Sequence, residues 1–308
     1  MKIAILDRAT LGNDVDVSIF EKFGELIVYD MTSEEQTQDR VKDVDIVLTN
    51  KVVINSSHMD NSSMKLICIT ATGMNNVDLQ YAKQKNIAVK NVAGYSSSSV
   101  AQVAFSMIFH FVTKLDYYKS YVDNGNWQKS PIFTHIDKPF YELDNKRVGV
   151  IGLGDIGRNF AKKAKAFDCE VVYYSTSGKN SNSEYKRVEL DELLSTSDII
   201  SIHCPLNENT QDLLNYENMS KMKDKAILLN LGRGGIINEN DLAKILDEKE
   251  IYAGIDVVSK EPILEDNPLL KVQNKQRLLL TPHIGWASIE ARTRLLEMVA
   301  DNIKEFLK

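Results

Sequence analysis

The chain of 308 residues has little cysteine, no long apolar run and no surplus of basic charge. Its three cysteines, Cys68, Cys169 and Cys204, are an odd number set far apart, and two lie in or beside apolar strand-like runs. That spacing argues against a disulfide framework or a zinc site and for buried, reduced thiols in a cytoplasmic protein. No run reaches membrane-spanning length, and the opening stretch, Met1 to Asp7, reads as a strand followed by polar residues, not as a signal peptide. A formal net charge of −6 and a pI near 5.5 leave no basic stripe for nucleic acid, so a small-molecule ligand is expected. No metal site is expected either. Long internal repeats are absent, and four consecutive serines, 96–99, are the lowest-complexity stretch.

What remains is the balance of a soluble globular protein, 43% hydrophobic and 26% charged, long enough for two domains of ordinary size. Residues 3–6, 26–29, 46–49, 66–70 and 87–90 read as short strands, with helices at 17–23, 34–41 and 77–85 between them. Such alternation predicts an α/β unit with a parallel sheet. A long helix follows to about residue 121, apolar nearly all round, which predicts burial on several sides. Either a second subunit, in a homodimer, or an interdomain core would supply that cover. From 146 to 284 the alternation resumes as a second doubly wound unit. Ser288, an N-cap followed by Glu290, opens a last helix.

The second unit is organised around residues 147–157. Val148, Val150 and Ile151 form a strand covered on both faces, and Gly152, Gly154 and Gly157 follow at GxGxxG spacing before a helix. In that context the glycines allow a tight turn, close approach of a pyrophosphate and close helix packing, with the helix N-terminus offering free N–H groups. The acidic residue that usually stands at the tip of the next strand is missing. Ser175 occupies the place, followed by Thr176, Ser177 and Lys179, which could donate to a 2′-phosphate. NAD and NADP both stay open.

Three potentially reactive residues stand just after strands of this unit: Arg233 among glycines, Glu261 before Pro262, and His283 after Pro282. The carboxyl ends of the strands of an open parallel sheet converge on one crevice, so these residues can meet there. Arg233 suits forking a carboxylate or carbonyl oxygen, although a surface arginine is the plain alternative. His283 can give or take a proton, and Glu261 can hydrogen-bond the imidazole and fix its tautomer. In the first unit, the turn holding Thr72 and Gly73 could present N–H groups to an anion, or be an ordinary strand-to-helix connection. Lys51 is a second polar contact or a plain surface lysine.

Taken in order, the following stretches resemble the D-isomer-specific 2-hydroxyacid dehydrogenases over essentially the whole chain: residues 73–78, 94–102, 152–157, 203–206 with Thr210, 230–235, 255–257 with Glu261 and Pro262, and 281–283. Trp286, Ala287 and Ser288, with Glu290, Ala291 and Arg292, are similar to the glycerate dehydrogenase or hydroxypyruvate reductase branch. The resemblance implies a Rossmann cofactor domain, 99–284, inserted into a flavodoxin-like substrate domain, 1–98 with 285–308. It implies hydride transfer between a nicotinamide dinucleotide and a small 2-oxo or D-2-hydroxy acid in the cleft, with NAD slightly favoured. Arg233 becomes the electrostatic and substrate-binding residue, His283 the acid–base catalyst and Glu261 its partner. Asp256 falls where the family contacts the carboxamide, and Asp155 and Ile156 beside the pyrophosphate. Cys204, Pro205, Thr210, Leu231, Gly232 and Gly285 are further expected cofactor contacts, and Thr72 and Gly73 would hold the substrate carboxylate. A dinucleotide-sensing binding module without turnover, as in corepressors that resemble this family, is the alternative.

Overall fold

Apolar runs of three to five residues bounded by polar turns become strands in the computed structural model, which describes residues 1–179 and 184–308. The first part of the chain gives β1 (Lys2–Ile5), β2 (Glu25–Val28), α1 (Glu34–Val41), β3 (Ile46–Thr49), α2 (Ser56–Asp60), β4 (Leu66–Ile69), α3 (Leu79–Gln84) and β5 (Ala88–Lys90). These five strands are parallel in the order β2-β1-β3-β4-β5, the flavodoxin-like winding. Two details correct the sequence reading. The segment expected to be helical at 17–23 is a 3-10 helix, Ser18–Phe23, which buries only Phe20 and ends at Gly24. The five residues of α2 were missed because one turn and a half carries no readable period; Asn55, accepting from the His58 N–H at 3.2 Å, starts it.

Next come α4 (Ser97–Thr113), α5 (Leu115–Asp123), β6 (Arg147–Ile151), α6 (Asp155–Ala166), β7 (Glu170–Tyr174), β8 (Lys186–Arg187), α7 (Leu190–Thr196), β9 (Ile199–Ile202), α8 (Tyr216–Met219), β10 (Ile227–Asn230), α9 (Glu239–Glu248), β11 (Tyr252–Ile255) and β12 (Leu278–Leu280). Their sheet is parallel with the order β12-β11-β10-β9-β6-β7-β8, so the chain reverses direction of winding at β6. The closing helix α10 (Ile289–Phe306) returns to the first sheet. Two compact units result, Met1–Ser96 with Trp286–Lys308, and Ser97–Gly285. Their limits differ from those read from the sequence by two residues at the first crossing and one at the second.

Period-two alternation sorts the strands of the second unit onto two cores. Ile151, Ile200, Ile202, Leu228 and Ile255 share one core with Leu193 of α7 and Leu242 and Ile245 of α9. Val148, Val150, Tyr173, Ile199 and Leu229 share the other with α4 and α6. Both faces are thus covered, which is why these strands read as nearly continuous apolar runs. The helix expected to run unbroken to about residue 121 is two helices. It breaks at Lys114, whose φ of 55° ends α4, and the ammonium lies over the Tyr252 ring at 4.9 Å. Within its own unit, α4 packs against Phe160, Phe167 and the sheet. Helix α5, by contrast, buries none of its side chains. Among the described residues, no helix is long and apolar enough to cross a membrane.

Candidate active site

The sequence-selected residues of the second unit lie on loops after its strands or, for Asp155, Ile156 and Gly157, in the first turn of α6. The glycine turn comes first. Gly152 has φ 91°, in the region that favours glycine, and a Cβ there would stand 2.7 Å from the Cys204 backbone nitrogen. At Gly157 a Cβ would collide with the Gly152 carbonyl oxygen, so α6 could not pack this close to β6 with a larger residue. Around Gly154, the N-cap of α6, a Cβ would meet nothing within 4 Å. The turn is therefore tight where the fold needs it and open where a phosphate would approach the helix N-terminus. Asp155 is exposed and its carboxylate accepts from the Arg158 guanidinium at 2.6 Å; Arg158 also donates to the Leu153 carbonyl at 3.0 Å. Sequence reading overlooked Arg158, which brings positive charge to the phosphate turn and offsets that of Asp155. Ile156 is half-buried against the second core.

At the end of β7, Ser175 is buried, with its hydroxyl oxygen sealed from solvent and without a hydrogen-bond partner. Its carbonyl accepts from the Gly178 N–H at 3.1 Å, closing a turn whose Gly178 carbonyl accepts from Arg187 at 2.9 Å. No carboxylate occurs in the sequence between Glu170 and Glu184. The loop after β9 is held from inside by Thr210, fully buried, whose hydroxyl donates to the Pro205 carbonyl at 2.7 Å and accepts from the Asn207 N–H at 2.8 Å. Cys204 is buried under the glycine turn and Pro205 is exposed.

Leu231 is buried, and Gly232 lies beside the Cys204 carbonyl. The buried Asn230 braces the loop that follows: its amide donates to the Arg233 carbonyl at 2.9 Å and its oxygen accepts from the Gly232 N–H at 3.1 Å. Arg233 itself is exposed. Its guanidinium donates to the Gly232 carbonyl at 2.8 Å and forms no ion pair among the described residues, so its charge is available to an anion.

His283 and Glu261 meet. The imidazole Nδ1 lies 2.7 Å from Glu261 Oε2, with both side chains about one-third exposed or less (28% and 32%). A carboxylate can only accept, so Nδ1 carries the hydrogen in that bond and Nε2 faces the other way, free to exchange a proton. Asp256 underlies this arrangement. It is buried, and its carboxylate accepts from the Thr281 hydroxyl at 2.6 Å and from the Ile284 and Gly285 N–H groups at 2.8 Å each; its own carbonyl accepts from the His283 N–H at 2.9 Å. Three acceptor sites are in use, leaving one for an external donor such as a carboxamide. A Cβ at Gly285 would stand 2.8 Å from Asp256 Oδ2, so a larger residue there would press on this carboxylate. His203, just after β9, donates or accepts at Nε2 with the Ser201 hydroxyl at 2.9 Å, while Nδ1 is sealed and unpartnered. Burial pushes its imidazole down to about 3.

The first unit carries its own ordered edge. Asp7, buried at the end of β1, accepts from the N–H groups of Asn50 at 2.9 Å, Lys51 at 2.7 Å and Val52 at 3.3 Å, fixing the loop on which the exposed Lys51 stands. Thr72 donates to the Val92 carbonyl at 3.0 Å, and the Asn91 amide donates to the Thr72 carbonyl at 2.7 Å; Gly73 follows, half-buried. Neither Asp7 nor Asn91 was singled out from sequence, because a carboxylate or amide at a strand end looks like any turn residue until the backbone folds round it. Among the described residues, no group of three or more His, Cys, Asp or Glu side chains is arranged to hold a metal ion.

Comparison with known proteins agrees with this chemistry. Residues 105–285 match the model of the D-isomer-specific 2-hydroxyacid dehydrogenase NAD-binding domain. The chain is 41% identical to a hydroxypyruvate reductase of Blautia hydrogenotrophica, covering 100% of this chain and 97% of the relative. It is 32% identical to a glycerate dehydrogenase of Methylorubrum extorquens, over 99% and 96%. Among solved structures it is similar to an acyclic imino acid reductase in complex with NADPH and D-Arg, with TM-score 0.85, 29% identity and coverage of 100% and 97%. The open cradle at Gly154, the free N-terminus of α6 and the remaining acceptor site of Asp256 fit a nicotinamide dinucleotide. The chain belongs to the D-isomer-specific 2-hydroxyacid dehydrogenases, an oxidoreductase family that works with a nicotinamide dinucleotide.

Proposed function

We propose that the protein reduces small 2-oxo acids of the hydroxypyruvate and glyoxylate type to D-2-hydroxy acids, and that NADPH serves it at least as well as NADH. The single observation that carries the reading is the His283–Glu261 pair at 2.7 Å, held by Asp256 at the edge of a dinucleotide-type sheet. The nicotinamide, when bound, supplies the hydride. Arg233 takes the substrate carboxylate and draws negative charge onto the carbonyl oxygen as it develops. His283 delivers its Nε2 proton to that oxygen, and Glu261 stabilises the imidazolium beforehand and keeps the hydrogen on Nδ1 afterwards. Gly152, Gly154, Asp155, Ile156, Gly157, Cys204, Pro205, Leu231, Gly232 and Gly285 form the dinucleotide surface, with Thr210 acting through the loop it braces.

The nucleotide preference is supported by charge. A carboxylate at the tip of β7 would repel a 2′-phosphate, whereas Thr176, Ser177, Lys179 and Arg187 offer donors there. The homodimer is also part of the proposal, through α5 and residues 127–141. This stretch exposes Leu115, Ile132, Phe133, Ile136 and Phe140, with Phe133 89% accessible. Exposed apolar side chains gathered along one stretch support an association site.

A panel of hydroxypyruvate, glyoxylate, pyruvate and bulkier 2-oxo acids, each run with NADPH and with NADH, tests the function. Turnover of the first two, yielding the D product, with NADPH equal to or better than NADH, is the expected result. Dinucleotide binding without turnover of any acid would overturn the enzyme in favour of the binding module, a reading that no relative named above supports.

A further inference from the structure

The Glu261 carboxylate sits on a long connection between β11 and β12, and a loop of that length does not hold an acid within 2.7 Å of an imidazole without fastening. The fastening comes from α9. Glu239, its first residue, accepts from the Ser259 N–H at 2.5 Å on one oxygen, and from the Ser259 hydroxyl at 3.0 Å and the Asn267 amide at 2.7 Å on the other. These bonds grip the connection on both sides of Glu261, two residues before it and six after. Asn267 is buried and its own oxygen accepts from the Leu269 N–H at 3.0 Å, so the far grip is anchored in turn.

The near grip reaches two functional residues at once. The Val258 N–H donates to Glu261 Oε1 at 3.3 Å. The peptide between Val258 and Ser259 also lies so close to Gly234 that a Cβ there would collide with the Val258 carbonyl group. The Val258–Ser259 peptide therefore touches the arginine loop and is held by Glu239, while the N–H of the peptide before it orients the glutamate. None of the hydrogen bonds recorded for Glu239 goes to Arg233, Glu261 or His283. We infer that Glu239 is a positioning residue for the acid–base pair: it fixes the 258–267 loop so that Glu261 meets His283, and it acts on turnover through Glu261.

This inference rests on the enzyme reading above, and a double-mutant cycle tests it in the full-length protein. Glu239→Ala is expected to lower kcat with hydroxypyruvate by about 10- to 100-fold, the size of effect a remote misplacement of a catalytic group produces. The NADPH dissociation constant, read by nicotinamide fluorescence, should stay within about twofold, which shows the unit folded. Glu239→Gln, which keeps one acceptor for the Ser259 N–H, should recover part of the loss. In a Glu261→Gln background, Glu239→Ala should cost less than about twofold more, because the group it positions is already disabled. An unchanged kcat for Glu239→Ala, or an equal loss in both backgrounds, overturns the inference. Failure of the enzyme reading looks different: the unmodified protein itself would turn over no acid.

Discussion

His283 holds a left-handed backbone conformation, φ 56°, which costs a non-glycine residue roughly 1–2 kcal/mol. Its N–H donates to the carbonyls of Asp256 and Thr281, at 2.9 and 3.0 Å, and these bonds keep it there. Removing the ring should therefore disable the chemistry and leave the scaffold: His283→Ala is expected to lose about 10²- to 10⁴-fold in kcat with nucleotide affinity nearly intact, read by steady-state kinetics beside fluorescence titration. A fast variant would take His283 out of the mechanism. His203 gives a prediction in pH. Burial pushes its imidazole down to about 3, well below the usual 6.5 of a free imidazole, so the unfolded state takes up a proton first as pH falls. Stability is full above 6.5 and declines through the window toward 3. Because part of His203 reaches solvent, about 1–2 kcal/mol is expected between pH 6.5 and 5. Urea unfolding at the two pH values, with His203→Asn flattening the difference, checks it. The cysteines are the inert counterpart: burial pushes Cys68 up to about 12 and Cys169 and Cys204 to about 11, so their thiolates are scarce at neutral pH.

At the scale of elements, the β6 turn and the β7 tip carry separable properties. Gly157→Ala must push α6 off the Gly152 carbonyl, and the expected outcome is at least about tenfold weaker binding of both NADH and NADPH, some 1.4 kcal/mol, in a fluorescence titration. Ser175→Asp should leave NADH binding while lowering kcat/KM for NADPH by about tenfold or more, through repulsion of the 2′-phosphate. Equal loss with both nucleotides would remove Ser175 from the selection. The turn was legible in the sequence because steric demand there admits only glycine, and the strands because burial on both faces leaves uninterrupted apolar runs. Arg158, Asn230, Asp7 and Glu239 were not legible. Each is an ordinary polar residue whose value lies in which carbonyl or N–H the fold brings to it, and one-dimensional spacing does not encode that. The end of α4 was misread for a related reason: Lys114 is a good helix former, and propensity does not encode its left-handed turn, at which the ammonium lies over Tyr252.

For the molecule as a whole, the exposed side chains of α5 and residues 127–141 make association measurable. The expected mass by sedimentation equilibrium is twice 34.8 kDa, and Phe133→Asp should shift it toward one copy at micromolar concentration. A single copy for the unmodified protein would sink the dimer. The two units differ in how the polypeptide supplies them. Residues 97–285 form an uninterrupted stretch, whereas Leu295, Leu296, Val299 and Ile303 of α10 complete a core begun by Ile3 and Ile5. On the ribosome, residues 97–285 have all their strands before α10 emerges. The first unit must wait with an apolar seam uncovered until α10 arrives, which makes that interval the period when a nascent copy most needs a chaperone.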